Sequence, residues 1–205
     1  PINGLMPQDL VNALSPLTTP VGNSAGVHLK RDGKISFSSG YYKMKDGGGY
    51  LWDLQYYGNV YRGTPYAYSG GMYCHINGSN VQAANRSGWR NKAGDEIEMG
   101  PWNNTGLNIY RRIKVYKDRP MARWLDVFEN PTAAPITLQV AIYSSHSYGI
   151  KQTTYSSGGS SFGAKDTAFM VRNGRANSPP TLHVVTSKHA KARPTVQVQS
   201  NQIFV

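Results

Sequence analysis

The sequence predicts an all-β protein built as an antiparallel sandwich, and three observations support this fold class. Short segments in which apolar and polar residues alternate recur along the chain after residue 25. Turn residues separate these segments at intervals of roughly eight to twelve residues, which is typical of sandwiches and barrels. The composition agrees, because 22 Gly and 12 Pro suit turns and 14 Tyr favour strands.

The first 25 residues differ in composition from the rest of the chain. They are rich in Pro, Gly, Ser and Thr, and only residues 7–14 would suit a short helix, with Pro7 in its first turn. We therefore expect an irregular N-terminal arm over residues 1–25 and a single β-sandwich domain over residues 26–205. A total of 205 residues suits one large all-β domain.

Several segments of the domain carry specific turn and strand signals. Asp32-Gly33 between two strand-like runs predicts a hairpin, and Gly47 to Gly49 predict a turn. Residues 149–164 are rich in Gly and Ser and are expected to form a loop. The segment 107–116 alternates strictly, so one face of a strand would carry the following residues: Leu107, Ile109, Arg111, Ile113 and Val115.

The most hydrophobic part of the chain, ARWLDVFENPTAAPITLQVAIYSS at 122–145, predicts two further strands. Apolar residues occupy both faces of the first one, as in a strand at the middle of two packed layers. Pro131 and Pro135 donate no backbone hydrogen bond, so they confine the residues between the strands to a turn. With a turn at 117–120, we expect residues 107–145 to form the central meander, in which 122–145 is a scaffold hairpin.

Strand character continues to within a few residues of Val205. We expect residues 197–205 to pair with a segment outside this sequence, either a further part of a longer protein or another copy, so that the domain continues past residue 205. The alternative is a last strand that pairs within the same domain.

The motifs GDEIEMG, NIYRRIKVYKDRP and MARWLDVFENPTAAPITLQVAIYSS follow one another from Gly94 to Ser145. This order resembles the β-supersandwich domains of the galactose-mutarotase-like superfamily, which occur in large secreted or envelope proteins of bacteria. YLWDLQYYGNVYRGTPYAYSGGMY resembles the early strands of such domains, and the resemblance covers about half the chain. It implies a supersandwich architecture, and an immunoglobulin-like sandwich is the alternative. Enzymes of the family act on sugars with carboxylates and histidines, but no matching motif surrounds a His in this sequence.

The net charge of +11 implies an anionic partner such as an acidic polysaccharide, a nucleic acid or a membrane surface. The basic residues are spread along the chain, which is also typical of ordinary solvated faces. No stretch approaches the roughly 20 apolar residues of a membrane-spanning helix. We expect a secreted, periplasmic or cell-surface protein.

The sequence offers few residues for catalysis, metal binding or cofactor binding. Cys74 has no partner for a disulfide and is expected to be a small buried hydrophobe. Its neighbour His75 would point to the opposite face of a strand, so we predict no metal site. Glu96 and Glu98 would share a strand face, as a pair of glycosidase carboxylates could. Phosphate-binding glycine motifs are missing, and we predict no catalytic residue and no cofactor.

Ten Tyr and Trp residues fall between residues 41 and 73, interleaved with Lys, Arg and Gly. Such side chains have a flat apolar body and a polar tip, which suits sugar rings, bases or a protein partner. The alternative is that they are simply core and surface residues. Asp53, between aromatics, suits polar contacts in a groove or a hydrogen bond to a neighbouring turn. The predicted ligand-binding residues are Tyr50, Trp52, Asp53, Tyr56, Tyr57, Tyr61, Arg62 and Tyr66.

These observations favour a non-catalytic extracellular or cell-envelope domain for binding or assembly. Its expected partners are carbohydrate, including acidic polysaccharide, or neighbouring protein subunits, with self-assembly through the terminal strand. One alternative is a polysaccharide-active hydrolase, lyase or epimerase of the mutarotase-like fold. A second alternative is a binder of single-stranded nucleic acid, because aromatic and basic residues together are typical of such proteins.

Overall fold

The computed structural model describes residues 27–64, 66–81, 83–104, 106–187, 189–190 and 192–205. These residues form fifteen strands and contain no helix. In chain order the strands are β1 (Gly33–Ser36), β2 (Tyr42–Lys45), β3 (Leu51–Leu54), β4 (Tyr68–Ile76), β5 (Ser79–Asn80), β6 (Ser87–Arg90), β7 (Glu96–Asn104), β8 (Leu107–Val115), β9 (Ala122–Glu129), β10 (Val140–His146), β11 (Ile150–Tyr155), β12 (Ala168–Asn173), β13 (Thr181–Val184), β14 (Gln197–Gln199) and β15 (Gln202–Phe204).

The strands form four sheets, and every pairing between them is antiparallel. The first sheet has the order β1-β6-β7-β8-β9, and the second has the order β14-β15-β10-β4-β5. Strands β11-β12-β13 form the third sheet, and β2-β3 form the fourth. The predicted all-β antiparallel fold is therefore confirmed. The predicted arm, with its short helix at 7–14, lies outside the described residues.

The core lies between these sheets. Side chains from the first, second and fourth sheets meet in one cluster, whose largest fully buried members include Trp102, Phe37, Leu54 and Ile76. A smaller cluster around Phe169 and Ile203 joins the third sheet to β15. In the part of the chain described here, no helix has the length and apolar character needed to span a bilayer.

Strand β8 confirms the predicted alternation residue by residue. All five residues expected on one face are buried, and the residues between them are partly exposed. The face includes Arg111, which is only 1% exposed. The predicted turn at 117–120 also lies where expected, because β8 pairs with β9 on either side of it. Cys74 is buried, as predicted.

The predicted scaffold hairpin at 122–145 is wrong. Strand β9 pairs with β8 in the first sheet, whereas β10 pairs with β4 and β15 in the second. The connection between β9 and β10 spans residues 130–139, which is longer than a tight hairpin turn and carries Pro131 and Pro135. The chain therefore crosses from one sheet to the other here. Strand β9 is consequently an edge strand of the described first sheet, not a central strand.

Two other local expectations are also corrected. Asp32-Gly33 does not turn a hairpin, because the residues before Gly33 are not in a strand and β1 pairs with the distant β6. The segment before β1 bonds elsewhere: the Leu29 N–H donates to the Glu98 carboxylate at 2.9 Å, and the Asp32 N–H donates to the Arg90 carbonyl at 2.9 Å. Residues 149–164 are not one loop, because β11 begins at Ile150 and pairs with β12.

The end of the chain forms a small hairpin within the described fold. Strand β15 pairs with β14 on one edge and with β10 on the other. The prediction that residues 197–205 pair as one strand outside this sequence is therefore wrong for β15. The polar turn residues Ser200 and Asn201 split the predicted strand, and Ser200 has a positive φ of 24°. Self-assembly through the outer edge of β14 stays a prediction.

Candidate ligand-binding surface

Six side chains lie one against the next on the surface, and we refer to them as the Tyr–Arg stack: Tyr41, Tyr61, Arg62, Tyr66, Arg175 and Tyr148. The rings of Tyr41 and Tyr61 are stacked with centroids 4.8 Å apart. The Arg62 guanidinium lies 4.9 Å from the Tyr61 ring and 5.3 Å from the Tyr66 ring. Beyond it, the Arg175 guanidinium lies 5.4 Å from Tyr66 and 5.4 Å from Tyr148. Aromatic rings and guanidinium groups thus form one continuous surface.

The members of the Tyr–Arg stack come from four different connections of the fold. These are the β1–β2, β3–β4, β10–β11 and β12–β13 connections. Each connection leaves a rigid strand, which places the side chains of distant segments side by side. Binding residues are often found on loops that a rigid scaffold positions in this way.

Asp53 holds the central part of the stack in position. It lies on β3, is only 8% exposed, and accepts hydrogen bonds through Oδ1 from the backbone N–H groups of Arg62 and Gly63, at 3.0 and 2.8 Å. Its backbone carbonyl accepts a third hydrogen bond from the Tyr61 N–H at 3.0 Å. The carboxylate therefore makes the hydrogen bond to a neighbouring turn that the sequence left as an alternative.

Two tyrosines of the stack have unusual backbone conformations. Tyr66 and Tyr148 have φ values of 65° and 64°, in the left-handed region that bulky residues rarely adopt. They are also the most exposed rings of the stack, at 45% and 58%. Strain of this kind persists only where the surroundings enforce it and is common at functional sites. Here it directs two apolar rings into solvent.

The charge of the Tyr–Arg stack is positive. Arg62 is exposed, and no carboxylate forms an ion pair with it among the residues that the structure describes. Partial desolvation and then the hydroxyl of Tyr61 raise the pKa of Tyr41, so this phenol stays neutral at ordinary pH. The surface therefore combines aromatic rings with guanidinium groups.

Tyr50 and Trp52 do not belong to the Tyr–Arg stack. They line a cleft of about 1040 Å³, and residues of β9, β10 and β13 line it as well. The rings of Trp52 and Trp124 lie 5.6 Å apart in its wall. Both indole N–H groups donate to acceptors within the protein. That of Trp52 donates to Asp46 Oδ2 at 2.9 Å, and that of Trp124 donates to the Gly58 carbonyl at 2.7 Å. The two indoles thus present ring surface to the cleft, without a free donor.

Tyr56 and Tyr57 form a third group. Their ring centroids are 4.0 Å apart, and the Tyr56 hydroxyl donates to the Tyr57 hydroxyl at 2.6 Å. The guanidinium of Arg86 lies 4.8 Å from the Tyr56 ring, which also packs against the core. No ring contact between described residues links this pair to the Tyr–Arg stack.

The two glutamates that share a face of β7 are tied to cations. Glu96 binds Arg112 at 2.6 Å and Arg123 at 3.2 Å. Glu98 is fully buried and binds Arg31 at 3.0 Å. Glu96 therefore links β7 to arginines on β8 and β9, and Glu98 links β7 to the segment before β1.

A pair of histidines, of which His146 is buried and His183 partly buried, lies where β10 and β13 approach each other. The rings of His146 and His183 are 5.8 Å apart. Burial lowers the pKa of His146 to about 4 and that of His183 to about 3, so both imidazoles are neutral at ordinary pH. Among the described residues, no group of three or more His, Cys, Asp or Glu side chains could hold a metal ion.

The structure thus divides the predicted residues among three groups and adds residues that sequence analysis missed. Tyr61, Arg62 and Tyr66 enter the Tyr–Arg stack, joined by Tyr148 and Arg175 from far along the chain. The only local signal for these two is their position beside Gly149 and Gly174, in turns where a large side chain is exposed. No protein-family model matches this chain, and no curated protein or solved structure is significantly similar to it.

Proposed function

We propose that the protein is a non-catalytic extracellular or cell-envelope domain that binds acidic polysaccharide along the Tyr–Arg stack. The observation that carries this proposal is the alternation of exposed Tyr rings with the guanidinium groups of Arg62 and Arg175. The β-supersandwich architecture is part of the proposal, and the several antiparallel sheets of the described fold are compatible with it.

An acidic sugar matches both components of this surface. The face of a sugar ring carries C–H groups that pack on a flat aromatic ring, while its hydroxyl groups reach the polar tip of Tyr. A uronate carboxylate or a sulfate accepts paired hydrogen bonds from a planar guanidinium. A repeating polymer of such sugars would therefore place rings on Tyr61, Tyr66 and Tyr148 and anionic groups on Arg62 and Arg175, which lie between these rings.

The charge balance of the molecule supports an anionic ligand. The chain has 22 Lys and Arg against 11 Asp and Glu. Asp53, on the strand that precedes the central part of the stack, is buried, and its carboxylate is engaged by the backbone N–H groups of Arg62 and Gly63. Glu96 and Glu98, the pair that a polysaccharide-active enzyme would need as an acid and a base, are engaged by arginines.

The proposal is tested by measuring affinity for polygalacturonate, dextran and a single-stranded oligonucleotide. We expect binding of polygalacturonate that weakens from about 50 mM to about 300 mM salt, because added salt screens exposed charges. Dextran should bind much more weakly. Tighter binding of the oligonucleotide would favour the nucleic-acid alternative, and equal binding of dextran and polygalacturonate would overturn the role of charge.

Arg62→Ala should lower the affinity for polygalacturonate by roughly tenfold or more, since a hydrogen bond to a charged group contributes about 1.5–3 kcal/mol. Arg119→Ala is the matched control. Arg119 also lies over a tyrosine, Tyr116 at 5.5 Å, and its removal changes the net charge equally. It differs in being paired with Asp118 at 2.6 Å. Equal losses in the two variants would mean that overall charge, not the stack, binds the polymer.

A further inference from the structure

Strand β9 has an open edge. Its eight residues pair with β8 on one side, and no backbone hydrogen bond from a described residue reaches its other side. The strand contains no Pro or Gly, and apolar residues occupy both of its faces. Soluble proteins usually protect such an edge, because it is a template for pairing with another chain.

The sequence of β9 is chemically symmetric about Asp126. Leu125 and Val127, one residue away on either side, are both branched aliphatic residues. Trp124 and Phe128, two residues away, are both aromatic. Arg123 and Glu129, three residues away, carry opposite charges. An antiparallel copy of the strand would therefore find a matching partner at each of these positions.

We propose that two copies of the chain pair edge to edge through β9, antiparallel, with the two-fold axis at Asp126. In this register Leu125 faces Val127 of the partner, and Trp124 faces Phe128 of the partner. Arg123 faces Glu129 of the partner. Aromatic pairs, aliphatic pairs and opposite charges at directly opposed positions all stabilise antiparallel strands. Such an interface is self-complementary, as two-fold symmetry requires.

The one unfavourable position is Asp126, which would face its own copy across the axis. Each Asp126 carboxylate is already bound by Arg111 of the same chain through two hydrogen bonds, of 2.6 and 3.1 Å. The guanidinium therefore neutralises the carboxylate before the two strands meet. At the outer positions, Arg123 pairs with Glu96 of the same chain at 3.2 Å and Glu129 pairs with His28 of the same chain at 2.7 Å, and the side chains of Arg123 and Glu129 remain 37% and 42% exposed.

Pairing of this kind accounts for the composition of β9. Its apolar residues on both faces predict a central strand, yet the strand lies at the edge of the five-stranded sheet of one chain. In the dimer the two sheets join into one, and β9 becomes central. This inference is independent of polysaccharide binding, since no member of the Tyr–Arg stack lies on β9.

The test is the mass of the protein in solution, measured by light scattering during size-exclusion chromatography and by sedimentation. We expect twice the 22.6 kDa of a single chain. Arg123→Glu and Glu129→Arg should each give a single-chain mass, because each places like charges opposite one another at both ends of the interface. An equimolar mixture of the two variants should regain the doubled mass, since opposite charges then meet at both ends.

Recovery in the mixture also shows that both variants are folded. A wild-type protein that stays at the single-chain mass at high micromolar concentration would overturn the proposal. So would a mixture that associates no more than either variant alone.

The register is tested separately with cysteines. Leu125→Cys mixed with Val127→Cys should form an intermolecular disulfide on mild oxidation, while neither variant alone should do so. The native Cys74 is only 7% exposed and stays out of this reaction. Disulfide formation by a single variant alone would contradict the register centred on Asp126.

Discussion

Asp53 shows at the scale of one residue how a buried group can position an exposed surface. Its carboxylate accepts hydrogen bonds from the backbone N–H groups of Arg62 and Gly63 at 3.0 and 2.8 Å. Buried donors that lose their acceptor are costly, so these hydrogen bonds determine the path of the chain between Tyr61 and Tyr66. Asp53 is therefore a positioning residue.

Asp53→Ala should lower the free energy of unfolding by about 1–3 kcal/mol, because two N–H groups lose their acceptor. Polygalacturonate binding should fall as well, although every ring and guanidinium of the stack is retained. Asp53→Asn keeps one acceptor oxygen and should behave closer to the wild type in both respects. Chemical denaturation and a binding titration on all three proteins check this. Equal effects of the two substitutions would mean that stability and binding depend on the negative charge of Asp53 and not on its acceptor oxygen.

At the scale of elements, the β8–β9 hairpin is fastened to the rest of the core by one buried guanidinium. Arg111 faces Asp126 across the strand pair and donates to it from Nε and Nη2. Its third nitrogen, Nη1, donates to the Met72 carbonyl on β4 at 2.5 Å. Burial disfavours the charged guanidinium, but the adjacent Asp126 carboxylate outweighs this effect, and the pKa of Arg111 is raised. The first and second sheets are thus joined by hydrogen bonds as well as by apolar contacts.

Removing one member of this ion pair should destabilise the fold much more than replacing both members. Asp126→Ala leaves a buried guanidinium without its counter-ion, and we expect the free energy of unfolding to fall by about 3–5 kcal/mol. The double variant Arg111→Met with Asp126→Leu replaces the ion pair with apolar groups. Its free energy of unfolding should therefore fall by less than that of the single variant. Urea denaturation of both variants measures the difference. A double variant that is less stable than Asp126→Ala would show that the hydrogen bond from Arg111 to the Met72 carbonyl contributes more to stability than the ion pair.

At the scale of the whole molecule, the contact between the second and third sheets depends on neutral histidines. His146 on β10 and His183 on β13 lie beside Tyr68, with ring centroids 4.8 and 6.4 Å from the Tyr68 ring. His183 also stacks on Phe169 at 4.9 Å. None of these neighbours is a carboxylate that could stabilise a protonated imidazole. Acid should therefore weaken the fold at this junction.

The sign of this pH dependence follows from the lowered pKa values. In the unfolded chain both imidazoles titrate near 6.5, whereas in the fold they titrate at about 4 and about 3. The unfolded state therefore binds more protons below pH 6.5, and stability present above that pH is lost as the pH falls. Between pH 7 and pH 5 we expect a loss on the order of 2 kcal/mol for each histidine.

Denaturation at pH 7 and pH 5 measures this loss. His146→Gln should reduce the difference between the two pH values, and His189→Gln, at an exposed position, should leave it unchanged. A wild-type protein that is equally stable at both pH values would contradict the assignment.

Much of the fold was determined by the sequence alone, because side-chain alternation is a local property of a strand. The period of two in residues 107–115 identified both faces of β8, including the inward position of Arg111. Turn residues located the β8–β9 connection, and Pro131 and Pro135 correctly excluded strand pairing between them. A separate local signal, the ten Tyr and Trp residues between residues 41 and 73, predicted Tyr61, Arg62 and Tyr66 as ligand-binding residues.

Only the tertiary structure decided which strands are neighbours and which side chains meet. Alternation is the same whether a strand lies next to its sequence neighbour or in another sheet, so the sequence could not separate β9 from β10. Nor could it join Tyr148 and Arg175 to Tyr66, because that proximity requires the packing of connections from different sheets. The open edge of β9 likewise depends on the order of strands in its sheet. Contacts between distant segments are set by how the sheets bury their apolar faces against each other, and no local pattern encodes that choice.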